Sequence, residues 1–190
     1  MDSNNIEKNN SLAIITKVIS EKAQLQVKDG EIYINESEKG ATLKSIQISG
    51  FDDVVGINHD KCSLNSNSIN IKGARKTCDG IIFFKLKEKH YILITDLKSS
   101  LSNSEEHQYK TKSGKNFISY LNCLLNQFEG VDISGWEIYY CIFIDIEKYN
   151  HRRLTGVSPE FASKLPSSPT RIPIANNSKI SIQRLLYIRI

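Results

Sequence analysis

Two aspartates and a lysine are the residues of this chain best suited to carry out chemistry. Asp79 precedes an apolar run, Gly80-Ile-Ile-Phe-Phe-Lys-Leu86, and Asp96 and Lys98 lie near the end of a second run over residues 91–98. Side chains alternate between the two faces of a strand, so Asp96 and Lys98 point the same way. If the two runs pair as an antiparallel hairpin, Asp79 returns opposite the second run, and the three polar groups converge.

Such a group of side chains needs a partner, because carboxylates and ammonium groups are rarely buried without one. A magnesium or manganese ion would provide it, since hard divalent cations bind carboxylate oxygens and keep several waters. A metal-bound water can attack a phosphodiester, and a nearby ammonium can orient that water or stabilise charge developing on the phosphate. Asp79, Asp96 and Lys98 therefore predict a metal-dependent site for phosphodiester hydrolysis.

Each of these residues also has a structural interpretation. Asp79-Gly80 is a strong turn pair that could simply begin a hairpin. Asp96 and Lys98 could form a surface ion pair on an exposed strand end, which would contribute little to stability. His59, Cys62 and Cys78 could supply three zinc ligands, but their spacing matches no zinc motif.

The elements that must position these residues follow from the apolar spacing. Helical spacing predicts an amphipathic helix over 11–25 and a second helix from Asn116 to Phe128, with Gly114 just before it. Short strands are predicted near 31–35, 42–49 and 53–57, and a buried strand over 136–145. The order predicts an α/β fold with a mixed central β-sheet flanked by helices.

The ends of the chain differ from its centre. Residues 1–10 are polar, which predicts a flexible N-terminus ahead of a single domain over 11–190. All four prolines follow Asn150, so 150–190 is predicted to be an irregular extension, with 179–190 returning as a final strand. No apolar run approaches the roughly 20 residues that a bilayer requires, and the N-terminus lacks the pattern of a secretory signal. We therefore expect a cytoplasmic protein without a membrane segment.

The net charge of +4 is mild for a nucleic-acid-binding protein. The basic residues nevertheless concentrate on both sides of the hairpin, where they could contact phosphates or could form ordinary solvated faces. The predicted nucleic-acid-binding residues are Lys72, Arg75, Lys76, Lys112, Lys115, Arg152 and Arg153.

The hairpin carries a resemblance to a known family. Cys78-Asp79-Gly80 and Asp96-Leu97-Lys98, with sixteen residues between the two aspartates, resemble motifs II and III of the PD-(D/E)XK nucleases. That superfamily has a restriction-endonuclease-like core in the order helix, strands, hairpin, helix, strand, which residues 11–145 resemble. The proline of motif II is absent, and Cys78 stands in its place.

The resemblance implies a role for several residues. Asp79 and Asp96 would bind the metal, helped by the backbone carbonyl of Leu97, and Lys98 would be the catalytic lysine. The family also implies a polar residue after the lysine, for which Gln108 is the candidate. An acid from the first helix would complete the metal site, and Glu21 suits this better than Glu7, which precedes the helix.

The function implied by the resemblance is magnesium- or manganese-dependent hydrolysis of DNA. Small nucleases of this superfamily commonly occur in bacterial and antiviral defence, and a homodimer or a partner subunit would supply specificity. Two alternatives stay open. One is a catalytically inactive nuclease fold that binds nucleic acid or a protein, and the other is an RNase or nuclease that is active only with a partner.

Overall fold

The computed structural model describes residues 11–36, 38–62, 71–99, 104–150 and 161–187. The helices are α1 (Ser11–Val18), α2 (Ser104–Glu129), α3 (Ile146–Asn150) and α4 (Ile182–Leu186). The strands are β1 (Gln26–Lys28), β2 (Glu31–Asn35), β3 (Ser45–Ser49), β4 (Asp53–Ile57), β5 (Gly80–Leu86), β6 (Lys89–Lys98), β7 (Glu137–Asp145), β8 (Thr170–Ile174) and β9 (Ser178–Ser181). The predicted α/β class is confirmed, whereas the predicted N-terminus, 1–10, lies outside the described residues.

Five strands form the sheet that carries the candidate site, in the order β4-β5-β6-β7-β8. β4, β5 and β6 are antiparallel neighbours, and β6, β7 and β8 are parallel. Lys87 and Glu88 adopt positive φ values of 48° and 63°, which suits a two-residue turn between antiparallel strands. The crossover from β6 to the parallel strand β7 contains α2, as parallel pairing requires a long connection.

Both faces of this sheet are covered. On one face, Ile81, Phe83 and Ile94 pack in a core with residues of α1 and α2. On the other face, alternate residues such as Ile82 and Leu93 pack against the second sheet, of order β1-β2-β3-β9. The near-continuous apolar runs of β5 and β6 follow from this arrangement, since neither face is exposed to solvent.

Helix α2 is longer than the apolar spacing predicts. It begins at Ser104, and Gly114 lies inside it. The buried stripe over residues 117–125 continues towards the N-terminus at spacings of three and four, but its members there are His107, Thr111 and Gly114. Hydrophobic periodicity missed this half because polar or small residues occupy the buried positions. Within the described ranges, no helix combines the length and apolar character needed to cross a membrane.

Gly114 sets the distance between α2 and the sheet. A Cβ atom at this position would lie 2.9 Å from Ile94 Cγ2 and 3.3 Å from Cys78 Sγ, both in the buried core. Gly114→Leu should therefore lower the free energy of unfolding by about 1–3 kcal/mol through overpacking, measured by denaturant unfolding. Gly135→Leu is the matched control, because a Cβ atom at Gly135 would lie more than 4 Å from every residue except its two chain neighbours. Equal stability of the two variants would contradict this account of α2 packing.

Three other predicted elements are wrong in extent or type. The first helix ends at Val18 rather than residue 25, and a short 3-10 helix follows at Glu21–Ala23. Residues 26–28, which lie between the predicted helix and the first predicted strand, form β1, which pairs with β2 through the turn at Asp29 and Gly30. The predicted strand over 179–190 is instead β9 followed by α4, whose apolar residues Ile182, Leu185 and Leu186 are buried. Alternation alone did not separate a short strand from a short amphipathic helix.

Candidate metal-binding and catalytic site

The hairpin brings Asp79 and Asp96 together. Gly80, the first residue of β5, pairs with Thr95 of β6, so Asp79, which directly precedes β5, lies beside Asp96. Both aspartates are buried, with exposed fractions of 4% and 0%. The backbone N–H of Leu97 donates a hydrogen bond of 2.5 Å to Asp79 Oδ2, which fixes that carboxyl against β6. The two acids therefore lie side by side on the face of the sheet that α2 covers.

Two lysines from different elements converge on Asp96. Lys98 Nζ, two residues along β6, lies 3.3 Å from Asp96 Oδ2. Lys110 Nζ, from the first half of α2, lies 2.9 Å from Asp96 Oδ1. Each lysine side chain is 14% exposed, so this is a largely buried group of charges and not the surface ion pair considered above. Burial strengthens the electrostatic coupling within it.

The charges of this group shift the pKa values of its members. Burial, followed by the charge of Asp96, raises the pKa of Asp79 to about 9. Burial alone would lower the pKa of Lys110, but the charges of Asp96 and Asp79 outweigh it and raise that pKa. Without a metal, Asp79 is therefore protonated at neutral pH while Lys110 remains an ammonium. A carboxyl held in this way is a feature of functional sites as well as of structural ion-pair networks.

The donor set fits a hard divalent cation. Asp96 Oδ2 is buried and has no hydrogen-bond partner among the described residues, although Lys98 is nearby. Within the described ranges, no group of three or more histidines, cysteines or acids is gathered at one point. Magnesium does not require one, since it commonly binds one or two carboxylates together with waters and substrate phosphates. Asp79 and Asp96 together meet that requirement.

The predicted third acid lies apart from this pair. Glu21 is exposed in the 3-10 helix that follows α1. The further acid whose charge acts on Asp79 is Glu36, which directly follows β2 and is half-buried. Its backbone N–H donates to Lys44 O at 2.8 Å, so the second sheet positions it. The roles predicted for Glu21 and for the Leu97 carbonyl stay predictions.

Gln108 lies near the site but in a separate pocket. It is half-buried in the first turns of α2, where it lines a pocket together with His107 and Arg171. The α2 side chain that contacts Asp96 is instead Lys110, two residues later. Gln108 therefore does not contact the two acids. Lys110 lies beside Asp96, where Gln108 was expected.

The predicted nucleic-acid-binding residues divide into three groups. Lys72 and Lys76 are paired with Glu105 and Glu106 of α2, at 2.9 Å and 3.4 Å. Arg75, Lys112 and Lys115 are exposed. Arg152 and Arg153 lie outside the described residues. The pairs at Lys72 and Lys76 connect the segment before β5 to the start of α2, but both are on the surface and contribute little to stability.

The residues considered for zinc belong to a buried packing contact. His59 Nδ1 lies 3.4 Å from Cys78 Sγ, and the His59 ring packs on Phe117 with centroids 5.0 Å apart. Burial lowers the pKa of His59 to about 4 and raises that of Cys78 well above its ordinary value. Both groups are therefore neutral at physiological pH, as expected for an interior contact.

Comparison with protein-family models, with curated proteins and with solved structures finds no match. The assignment of this site therefore depends on its own geometry and chemistry.

Proposed function

We propose that this protein is a magnesium-dependent nuclease that hydrolyses phosphodiester bonds in DNA at the site formed by Asp79, Asp96 and Lys98. One observation carries the proposal: two buried carboxylates from adjacent strands lie side by side, and the Lys98 ammonium is 3.3 Å from one of them. Carboxyl groups are rarely buried without a compensating partner, and a bound cation would be such a partner for both acids. Hydrolysis of a phosphodiester can use carboxylates to bind the metal and an ammonium to stabilise the charge that develops on the phosphate.

The order of elements supports a restriction-endonuclease-like core. Helix α1 is followed by strands, the β5–β6 hairpin, helix α2 and the parallel strand β7. This is the order that the resemblance to PD-(D/E)XK nucleases implies. Manganese would substitute for magnesium, because carboxylate oxygens suit both ions.

Each residue of the proposed site would have its own role. Asp79 and Asp96 would hold the ion, which when bound supplies Lewis acidity and a water of lowered pKa. Lys98 would donate hydrogen bonds to the attacking water or to a phosphate oxygen, where it stabilises developing negative charge. Lys110, at 2.9 Å from Asp96 Oδ1, fixes the orientation of that carboxylate. The Leu97 N–H orients Asp79 in the same way.

One observation favours the alternative of an inactive nuclease fold that binds nucleic acid or a protein. Lys98 and Lys110 already compensate the charge of Asp96, so this buried acid is stable without a metal. Such a module would bind its partner equally with and without magnesium. Partner-dependent activity, a homodimer and a role in bacterial defence rest on the family resemblance, and each is a separate proposal.

The test is cleavage of labelled single- and double-stranded DNA and RNA, with magnesium, with manganese and with a chelator. We expect cleavage of DNA that requires the metal and is lost in Asp96→Ala. Cleavage of RNA alone would assign the site to an RNase. Metal-independent binding without cleavage, for the protein alone and with candidate partners, would favour the inactive module.

A further inference from the structure

A small polar pocket lies on the same face of the sheet as the two acids, two strands away from Asp96. Its volume is about 140 Å³. It is lined by His107, Gln108, Ser167, Ser168, Pro169 and Arg171. None of these six residues carries a carboxylate, and one carries a permanent positive charge. The pocket therefore suits an anion with several oxygen atoms.

Strand register places the pocket relative to the candidate site. Asp96 on β6 pairs with Ile142 on β7, and Ile142 pairs with Arg171 on β8. Register partners in parallel strands point to the same face, so Arg171 lies on the same face of the sheet as Asp96. Two strand spacings separate the two Cα atoms by about 10 Å. The neighbour of Arg171, Ile172, packs in the opposite core, which independently fixes the side of the sheet.

The wall of the pocket is held in place by α2. Thr111 Oγ1 donates a hydrogen bond of 2.5 Å to the carbonyl of Pro166, which anchors the segment before β8 to the helix. The N–H of Ser168 donates to Leu165 O at 3.1 Å within the same turn. Ser167 and Ser168 line the pocket and are exposed, so they lie where it opens to solvent.

The donors of the pocket match a phosphate group. A guanidinium binds two phosphate oxygens at once, and serine hydroxyls and a glutamine amide add neutral donors. Burial, followed by the charge of Arg171, lowers the pKa of His107, so its ring is neutral at pH 7 and adds no second charge. A single fixed charge with neutral donors favours one phosphate of a strand over a highly charged ligand.

We propose that this pocket binds a phosphate of the DNA strand next to the phosphate that is hydrolysed, and so sets the position of the strand over Asp79 and Asp96. The proposal rests on the proposed nuclease function. It also assigns Gln108 to substrate binding rather than to the metal site. Arg171 is a positioning residue in this arrangement, because it contacts a phosphate that does not react.

The test is binding of a labelled single-stranded DNA of twelve nucleotides in a chelator, measured by fluorescence anisotropy over a range of salt concentrations. Arg171→Gln should weaken binding about tenfold, as expected for the loss of a charged hydrogen bond. The slope of the logarithm of affinity against that of salt should fall by about 0.7, because one phosphate contact is lost. Arg184→Gln is the matched control, since Arg184 is exposed on α4, whose apolar residues pack in the opposite core.

A second variant keeps the test independent of folding. Ser168 is exposed, so Ser168→Glu should leave the melting temperature unchanged while it places a carboxylate at the mouth of the pocket. We expect weakened binding in this variant as well. Binding and salt slope in both variants equal to those of Arg184→Gln would overturn the proposal, and so would an absence of DNA binding by the unsubstituted protein.

The experiments distinguish failure of the pocket proposal from failure of the nuclease proposal. If Arg171→Gln and Ser168→Glu weaken binding but the unsubstituted protein cuts nothing, the phosphate pocket stands and the nuclease proposal fails. If the protein cuts DNA while both variants keep their affinity and salt slope, the pocket proposal fails and the nuclease proposal stands.

Discussion

Lys98→Ala is expected to lower the rate of magnesium-dependent DNA cleavage by about a hundredfold or more, with little change in the concentration of DNA needed for half-maximal rate. Removal of a single preorganised donor from a site of developing charge has an effect of this size. Lys98 lies 3.3 Å from Asp96 Oδ2, so its ammonium is placed beside the proposed metal-binding oxygen. Single-turnover cleavage of a labelled duplex would measure the rate of the chemical step.

The fold should tolerate this substitution, because Lys110 still compensates the charge of Asp96 at 2.9 Å. Lys28→Ala is a matched control, since it removes one exposed lysine from β1 in the other sheet. An unchanged rate in Lys98→Ala, with the protein still folded, would show that Lys98 does not take part in the reaction.

Lys110→Met should distinguish the role of Lys110 from that of Lys98. The charge of Lys110 acts to lower the pKa of Asp79, against the effects of burial and of Asp96. Its removal should move the pH dependence of cleavage towards alkaline pH, because Asp79 then needs a higher pH to ionise. Lys98→Ala should lower the rate at every pH without such a shift. Identical pH profiles in the two variants would contradict these separate roles.

The part of the fold that sequence patterns predicted is the part built from local contacts. Strands β5 and β6 are neighbours along the chain, and only the turn at Lys87 and Glu88 separates them. Their apolar runs could therefore be predicted from spacing, whereas their register is set by this two-residue turn, and the sequence placed Asp79 only opposite the second run in general. The adjacency of Asp79 and Asp96 follows from that register, whatever role the two residues have.

The parts that were missed depend on distant contacts. Strand β9 pairs in parallel with β3, and Ser178 lies opposite Ile46 although more than a hundred residues separate them along the chain. Glu36 acts on Asp79 because the second sheet carries it there, and no local pattern marks it. Arg171 reaches the Asp96 face through the pairing of β8 with β7. Such pairings have no signal in a single sequence.

Lys110 is an intermediate case. Apolar spacing predicted only the second half of α2, because the first half buries His107, Thr111 and Gly114 against the sheet. The spacing of these three residues is helical, but a search for apolar residues passes over them. A stripe of polar and small residues in register with an apolar one is consistent with one continuous helix, and that signal would have extended α2 through Lys110.

Asp79→Asn should make the metal-free protein more stable at neutral and alkaline pH, while it removes metal binding. Burial, followed by Asp96, raises the pKa of Asp79 from 3.8 to about 9 in the folded protein. Between these two values the unfolded chain loses the proton and the folded chain keeps it. The unfolded state therefore binds fewer protons, and the free energy of unfolding falls as pH rises.

The size of the effect follows from the range of pH over which the two states differ. One pKa unit corresponds to about 1.4 kcal/mol and pH 7 lies about three units above 3.8, so the destabilisation accumulated by pH 7 is on the order of 4 kcal/mol. Asparagine keeps an oxygen that can accept the Leu97 N–H but cannot ionise in either state, so the variant should lack this pH dependence. Denaturant unfolding of both proteins at pH 5, 7 and 9 in a chelator would measure the difference. Parallel stability curves would show that Asp79 does not titrate in this way.

Magnesium should make the unsubstituted protein more stable than Asp79→Asn, the reverse of their order without metal. The ion needs an ionised carboxylate, so its binding to the unsubstituted protein at pH 7 releases the proton of Asp79, and its affinity rises with pH up to about 9. Ligand binding stabilises only the protein that binds it, which leaves Asp79→Asn unaffected by the metal. A carboxyl that destabilises the metal-free fold and stabilises the fold once a cation is bound is difficult to explain as a turn residue. The same pair of titrations, with and without magnesium, therefore separates a metal-binding Asp79 from a structural one without any assay of cleavage.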